Sequence, residues 1–581
     1  MGISNKSSFK RPVGLLVVAI ATVASIIPNA HPGTALADPG VLKWHRADTP
    51  GSVATKNDIA SPCEVNRIAI GSDGKTFYAV DIPNADNATG SKALYQSLDG
   101  GISWDNKISQ NLYQTMPPAE QANFRIWNLA IAPDDVNFIA VVTNNAISNL
   151  PRNVWFSTDG GFKWRTTNFP GSDNISTIDI SLSYGSRDIG IGTRTGNGGG
   201  KVWILNGPDY LNWADQAFSG DVMSLKFSPS YQNDFAIALV YANATGTYVN
   251  VGIHDIHQNA TDWTAVYNGS PPEVTAGTAS TSAKASQIIT ADLELPGDFS
   301  GQSPSLRRYY VSFDDAGATG HAGIYRIDDA HIYNLMTATP TKRICTIAYH
   351  GTFASGKLLA GEVLGNPCTA TVMTWFTDAP TTCPIPCWYP ALKPATGAAG
   401  SDNCTGSNYG NAQVAWSPDG SIAYAGTASS ATLLAGADWP TPYLTAQALD
   451  ESAFSLSRNN GETWNQLALI DTRISRFTDI APAPNGSTVY LASVSDNINC
   501  SGFDSIWRSQ GSPPGNDWER VLCQPTATQY CTTSQTDNAI IGLAGDKPDG
   551  QIIFWAAVGT TRIMWSPDYG DYWGNVNTRL P

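Results

Sequence analysis

An eight-residue pattern, Ser-x-Asp-x-Gly-x-x-Trp, returns along this 581-residue chain and limits what it can fold into. It reads Ser97-Leu98-Asp99-Gly100-Gly101-Ile102-Ser103-Trp104, and again Ser157-Thr158-Asp159-Gly160-Gly161-Phe162-Lys163-Trp164. It closes the chain as Ser566-Pro567-Asp568-Tyr569-Gly570-Asp571-Tyr572-Trp573 and varies once, with Asn459 in the Asp position of Ser457 to Trp464. Each residue type has a turn function. The carboxylate or amide oxygen accepts N–H groups of a tight turn, Gly takes the positive φ, and Trp opens the next strand and covers apolar surface between sheets. Asp99, Asp159, Asn459 and Asp568 therefore read as structural, not catalytic.

A second pattern precedes these turns: an apolar strand opened by a polar residue, then a turn, then another apolar strand. Arg67-Ile68-Ala69-Ile70 runs into Gly71-Ser72-Asp73-Gly74, and Gln413-Val414-Ala415-Trp416 into Ser417-Pro418-Asp419-Gly420. Similar openings stand at Asn128, Ser224 and Asp479, with weaker copies near Asp179, Asp292, Thr346 and Ile540. Alternating strands with recurring turns predict an all-β array, of about nine units by the logic of repeats. A single four-stranded sheet leaves both faces bare, so the units must stack and close. The expected fold is one large β-propeller, residues 38–581, of about nine (eight to ten) four-stranded blades. Two smaller propellers are the alternative, but no linker of distinct composition divides the chain. Pro271 to Gln287, Pro380 to Asn411 and Ala428 to Ala453, rich in Gly, Ala, Ser, Thr or Pro, read as loops on this frame.

The eight-residue motif resembles the Asp box. At blade level, nearly all of residues 38–581 is similar to the Asp-box (BNR-repeat) β-propeller superfamily, which includes sialidases, sortilin-like receptors, photosystem assembly factors and xyloglucanases. The resemblance implies that the boxes sit on the hairpin between third and fourth strands, away from the face that carries active sites. Arg67-Ile68-Ala69 stands roughly where sialidases carry Arg-Ile-Pro, but Ala69 replaces Pro. Neither a Tyr/Glu nucleophile pair nor two further channel arginines can be assigned. A xyloglucanase-like reading needs two carboxylates about 5–9.5 Å apart, and its candidates, Asp179, Asp292 and Asp479, come from different blades.

The polar residues opening the innermost strands border the central channel, where propellers form concave sites. Arg67, Asn128, Asp179, Asp292, Gln413 and Asp479 are the candidate binding residues, with Ser224 and Thr346 beside them. They form either a polar pocket for a sugar, cation or peptide group, or strand-end caps lining a hydrated funnel.

The first 37 residues read as a secretory signal: Lys6, Lys10 and Arg11, an uncharged stretch Val13 to Ile27, then Ala35-Leu36-Ala37 before Asp38. They hold three of 34 basic residues and none of 49 acidic ones, so the remainder carries 31 against 49, a net charge of −18. Such a surface repels nucleic acid, and no later stretch is long and apolar enough to be read as a transmembrane span. Nine Cys follow the signal, five of them between 345 and 404, a clustering that suits local disulfides in an exported chain. His254-Asp255-Ile256-His257 offers two imidazoles without a third ligand. No phosphate-binding loop, Gly-x-Ser-x-Gly or His-Glu-x-x-His occurs, so neither metal nor cofactor is expected. The expected protein is secreted, periplasmic or on the cell surface: a noncatalytic binder of a glycan or extracellular protein, or a self-assembling surface component. The alternative is a secreted glycoside hydrolase.

Overall fold

A computed structural model describes residues 48–51, 63–81, 90, 93–122, 124–148, 150–274, 283–315, 321–336, 342–364, 374–382, 388–395, 409–431, 452–470, 474–495, 503–511, 514–525, 539–543, 547–557 and 563–576. The signal-like segment and six of the nine Cys lie outside these residues. Among the described residues no helix is long and apolar enough to cross a membrane.

The chain forms consecutive antiparallel sheets, each running outward from an innermost strand. The nine innermost strands are Val65–Ile70, Ile126–Ala132, Asn174–Ile180, Asp221–Phe227, Thr290–Glu294, Ile344–His350, Tyr409–Trp416, Arg476–Pro482 and Ala539–Leu543, and they begin blades 1 to 9. Among the described residues eight blades have four strands, and in blade 1 a single bridge, Gln96 to Asp105, stands where the fourth would run. The all-β propeller of about nine four-stranded units expected from the repeats is what forms, with the difference that its ring closes before all nine are used.

Periodicity explains the stacking. The second strand of blade 4, Ala236–Ala242, is buried at every position. Ile237, Leu239 and Tyr241 pack toward blade 3, while Ala236, Ala238, Val240 and Ala242 pack toward blade 5. Alternation thus serves two apolar interfaces instead of one core and one wet face.

The seams divide the units seven and two. Buried apolar clusters join blades 1 and 2, 2 and 3, 3 and 4, 4 and 5, 5 and 6, and 6 and 7. The next cluster joins blade 7 back to blade 1, through Phe454, Leu456 and Tyr424 against Val65, Phe77 and Trp104. Ser452 Oγ also donates to Glu64 Oε2 across this seam, at 3.1 Å. Blades 8 and 9 lie outside the ring and share their own cluster around Tyr490, Ile506, Ile553 and Trp555. Blade 8 meets blade 7 edge to edge, Gln466 pairing with Arg520 on the two outer strands. Its innermost strand, which in the ring would face the channel, instead leaves Phe477 and Ile480 exposed.

A partly buried polar joint holds this two-blade arm. Glu519 of blade 8 receives Arg508 at 2.7 Å, Arg458 of blade 7 at 2.5 Å and Asn465 at 3.0 Å. Burial alone would raise the Glu519 carboxyl, but Arg508 and Arg458 outweigh it and hold the pKa at about 2. Lys393, on the loop after blade 6, donates to Asn465 Oδ1 at 2.5 Å and to the carbonyls of Val521 and Gly570 at 3.2 and 2.7 Å.

Candidate functional site

The four repeated turns are hairpins between third and fourth strand positions, in blades 1, 2, 7 and 9. In the first, Ser97 Oγ donates to Asp99 Oδ1 at 2.9 Å, Gly101 N donates to Ser97 Oγ at 2.9 Å, and Ser103 N donates to Asp99 Oδ1 at 2.8 Å. Asp159, Asn459 and Asp568 accept the corresponding N–H, from Lys163, Thr463 and Tyr572, at 2.8, 2.9 and 2.8 Å. The motif glycine sits at φ near +90° each time, and a side chain there would also strike a neighbour: Phe454 at Gly101, Leu359 at Gly461, Val521 at Gly570. Each neighbour belongs to the preceding blade, and for blade 1 that is blade 7. These turns lie against the turns leaving the innermost strands, as Gly100 N to Lys75 O at 2.9 Å shows. None of the four carboxylates or amides lines the cavity described next.

The seven ring strands enclose a cavity of about 460 Å³. Successive residues of a strand alternate sides, so positions i and i+2 both face the channel. Two tiers result. Cross-blade hydrogen bonds fix the first: Thr177 Oγ1 accepts from Leu225 N at 3.2 Å, and Asp292 Oδ2 from Ile347 N at 3.0 Å and Thr346 Oγ1 at 3.1 Å. Arg67, Asn128, Thr177, Ser224, Asp292, Thr346 and Gln413 share this level, and all line the cavity. Two residues further along, the second tier is Ala69, Ala130, Asp179, Lys226, Glu294, Ala348 and Ala415.

The structure therefore brings together Arg67, Asn128, Asp179, Asp292 and Gln413 among the predicted site residues, with Ser224 and Thr346. Asp179 stands one tier deeper than its expected place, which Thr177 holds beyond a bulge in the strand. Asp479 is not part of the cavity. It lies on the arm, where its Oδ2 accepts Ile541 N of blade 9 at 2.8 Å. That is the bond Asp292 makes inside the ring, so the same strand-opening pattern served in both places.

Sequence reasoning missed Lys226 and Glu294, and the i+2 rule was the signal that would have found them. Four second-tier positions are Ala, which leaves room, and the other three are charged on consecutive blades. Lys226 Nζ lies 3.3 Å from Glu294 Oε1, and the two side chains keep 36 % and 23 % of their surface exposed toward the channel. Glu294 raises the pKa of Lys226 most, helped by Asp179 and Asp292. Burial pushes the Glu294 carboxyl up to about 7 against the pull of Lys226, with Asp292 and Asp179 adding repulsion. Burial likewise raises Asp179, which donors such as Phe227 N at 2.8 Å only partly offset.

Arg67 stands on blade 1, across the ring from this cluster. Its Nη1 donates to its neighbour's carbonyl, Asn66 O, at 2.8 Å, and it forms no ion pair among the described residues. Burial lowers its pKa, an effect opposed by Cys345 and Asp292. Cys345 is a thiol that donates to Ala412 O at 3.2 Å, and burial raises it to about 12. Among the described residues no group of three or more His, Cys, Asp or Glu is placed to hold a metal ion. His254 is buried, its Nδ1 3.0 Å from Thr261 Oγ1, and burial lowers it to about 4.

Fold and cavity together define a β-propeller with a ligand-sized central chamber. No family model and no curated protein sequence matches the chain. Among solved structures it is similar to the WD40 domain of SCAP from fission yeast, at 10 % identity and TM-score 0.32, covering 88 % of this chain and 93 % of that one. It is also similar to a structure titled for two prolyl endopeptidases, at 11 % identity and TM-score 0.28, covering 69 % of this chain and 49 % of that one.

Proposed function

We propose that the protein is an exported, noncatalytic propeller of the Asp-box type that binds a glycan or part of an extracellular protein in the ring cavity. The observation that carries this reading is the chamber of about 460 Å³, on which polar groups from all seven ring blades converge. Pockets of that size bury small ligands and fix them with a few placed polar groups. Repeated turns whose carboxylates accept turn N–H groups also support it, because they leave the channel as the polar concavity. The test is a thermal-shift screen of the chain from Asp38 against glycans, peptides and small polar metabolites. Hits are expected that vanish when Ala69→Phe or Ala415→Phe fills the cavity and persist in Asp479→Ala. Absence of any cavity-sensitive hit contradicts the reading.

One observation favours a second reading, a secreted glycoside hydrolase. Burial pushes the Glu294 carboxyl up to about 7 beside Asp292 and Asp179, the range in which a carboxyl serves as a general acid. A glycosidase screen decides: turnover lost in Glu294→Gln installs this reading, and binding without turnover removes it.

A further inference from the structure

The cavity is electrically two-sided. Blades 3 to 5 supply Asp179, Asp292 and Glu294 against one cation, Lys226, while blade 1 supplies Arg67, which forms no ion pair among the described residues although the charge of Asp292 reaches it. A guanidinium enclosed by protein without a carboxylate in contact loses solvation that a bound anion restores, and its fork of N–H donors suits a carboxylate. Opposite it, Glu294 meets Lys226 at Oε1 and keeps 23 % of its side-chain surface exposed. The Ala residues of the second tier keep the space between the two walls open.

We infer that the ring cavity takes a small zwitterion, its carboxylate on Arg67 and its protonated amine against the Asp179, Asp292 and Glu294 wall. A ligand carrying only one charge satisfies one wall and leaves the other as it is. This inference rests on the proposed cavity-binding function and names the ligand class for it.

The test is calorimetric titration of the full chain with glycine, β-alanine, 4-aminobutanoate and 6-aminohexanoate, against butanoate, hexanoate, butylamine and hexylamine. The series reads the span between the walls. At least one zwitterion is expected to bind about tenfold or more tighter than both of its one-charge analogues, the scale of one charge-assisted hydrogen bond. Arg67→Gln removes that advantage without weakening the amine binding. Glu294→Gln with Asp179→Asn does the reverse, sparing carboxylate binding. Ala69→Phe abolishes all of it, and Ala415→Phe serves where Ala69→Phe does not fold. A carboxylate or an amine that binds as tightly as the zwitterion of equal length overturns the inference. So does failure of the whole series when the screen above yields other cavity-sensitive ligands, which leaves the binding function standing. If no cavity-sensitive ligand of any class exists, function and inference fall together.

Discussion

Blades 1 to 7 and blades 8 to 9 are built from the same unit but finish it differently. In both regions an innermost-strand Asp caps an N–H of the next blade, Asp292 to Ile347 N and Asp479 to Ile541 N. In both a motif glycine rests on the preceding blade, Gly101 on Phe454 and Gly570 on Val521. The ring closes because blade 7 offers blade 1 an apolar face. The arm stays outside because blade 8 offers blade 7 an edge, with charged groups and one small apolar cluster around it. Repeat chemistry decides how a blade is made, and the face or edge presented at one junction decides where it goes.

Breaking one seam in each region gives the largest contrast. Phe454→Ala and Trp555→Ala each remove a fully buried aromatic, a loss of about 3–5 kcal/mol. Hydrogen exchange is expected to show loosening around the whole ring for Phe454→Ala, and loosening confined to residues 476–575 for Trp555→Ala. Loss of ring protection in Trp555→Ala would mean that the arm is not a separate unit.

Glu519→Ala attacks the joint. It leaves the buried Arg508 without its carboxylate, at a cost of about 3 kcal/mol, while the half-exposed Arg458 adds little. The arm is expected to gain protease sensitivity while ligand binding in the ring cavity is unchanged.

The same turn can be cut in either region. Asp99→Ala and Asp568→Ala each remove an acceptor of turn N–H groups, at about 1–3 kcal/mol. Urea denaturation is expected to show comparable losses, with the Asp99 variant affecting the ring transition and the Asp568 variant the arm transition.

The smallest effect belongs to Glu294 and to the ring alone. Lys226, Asp179 and Asp292 face it, with Arg67 and His350 in the same cavity. Its pKa is raised from 4.5 to about 7, so its contribution to stability is complete below 4.5 and is lost as pH rises through about 7. Glu294→Gln is expected to flatten the pH dependence of the melting temperature across that window and leave arm exchange untouched. An identical pH profile in the variant would show that Glu294 is not held protonated.

Much of this was legible in the chain. Strand and turn periodicity marked nine units and placed Arg67, Asn128, Asp292 and Gln413 on the channel. Asp179 was one tier off because Thr177, the residue just past the bulge that also precedes Arg67, Asn128 and Ser224, holds the equivalent place. Lys226 and Glu294 were passed over because only strand-opening residues were weighed, although alternation puts i+2 on the same side. Closure at seven had no sequence signature. Phe454 and Trp507 are the same kind of buried aromatic, one sealing a ring seam and the other covering the arm beside blade 7.

The direct test is a distance measurement between spin labels carried by unnatural amino acids on equivalent turns, at Lys75 of blade 1, Pro133 of blade 2, Ser421 of blade 7 and Pro548 of blade 9. The account predicts that 75 to 421 matches 75 to 133, since blade 1 has blades 2 and 7 as its two neighbours, and that 75 to 548 is longer than both. A short distance from 75 to 548, with 75 to 421 the longer, would describe a nine-blade ring and contradict it.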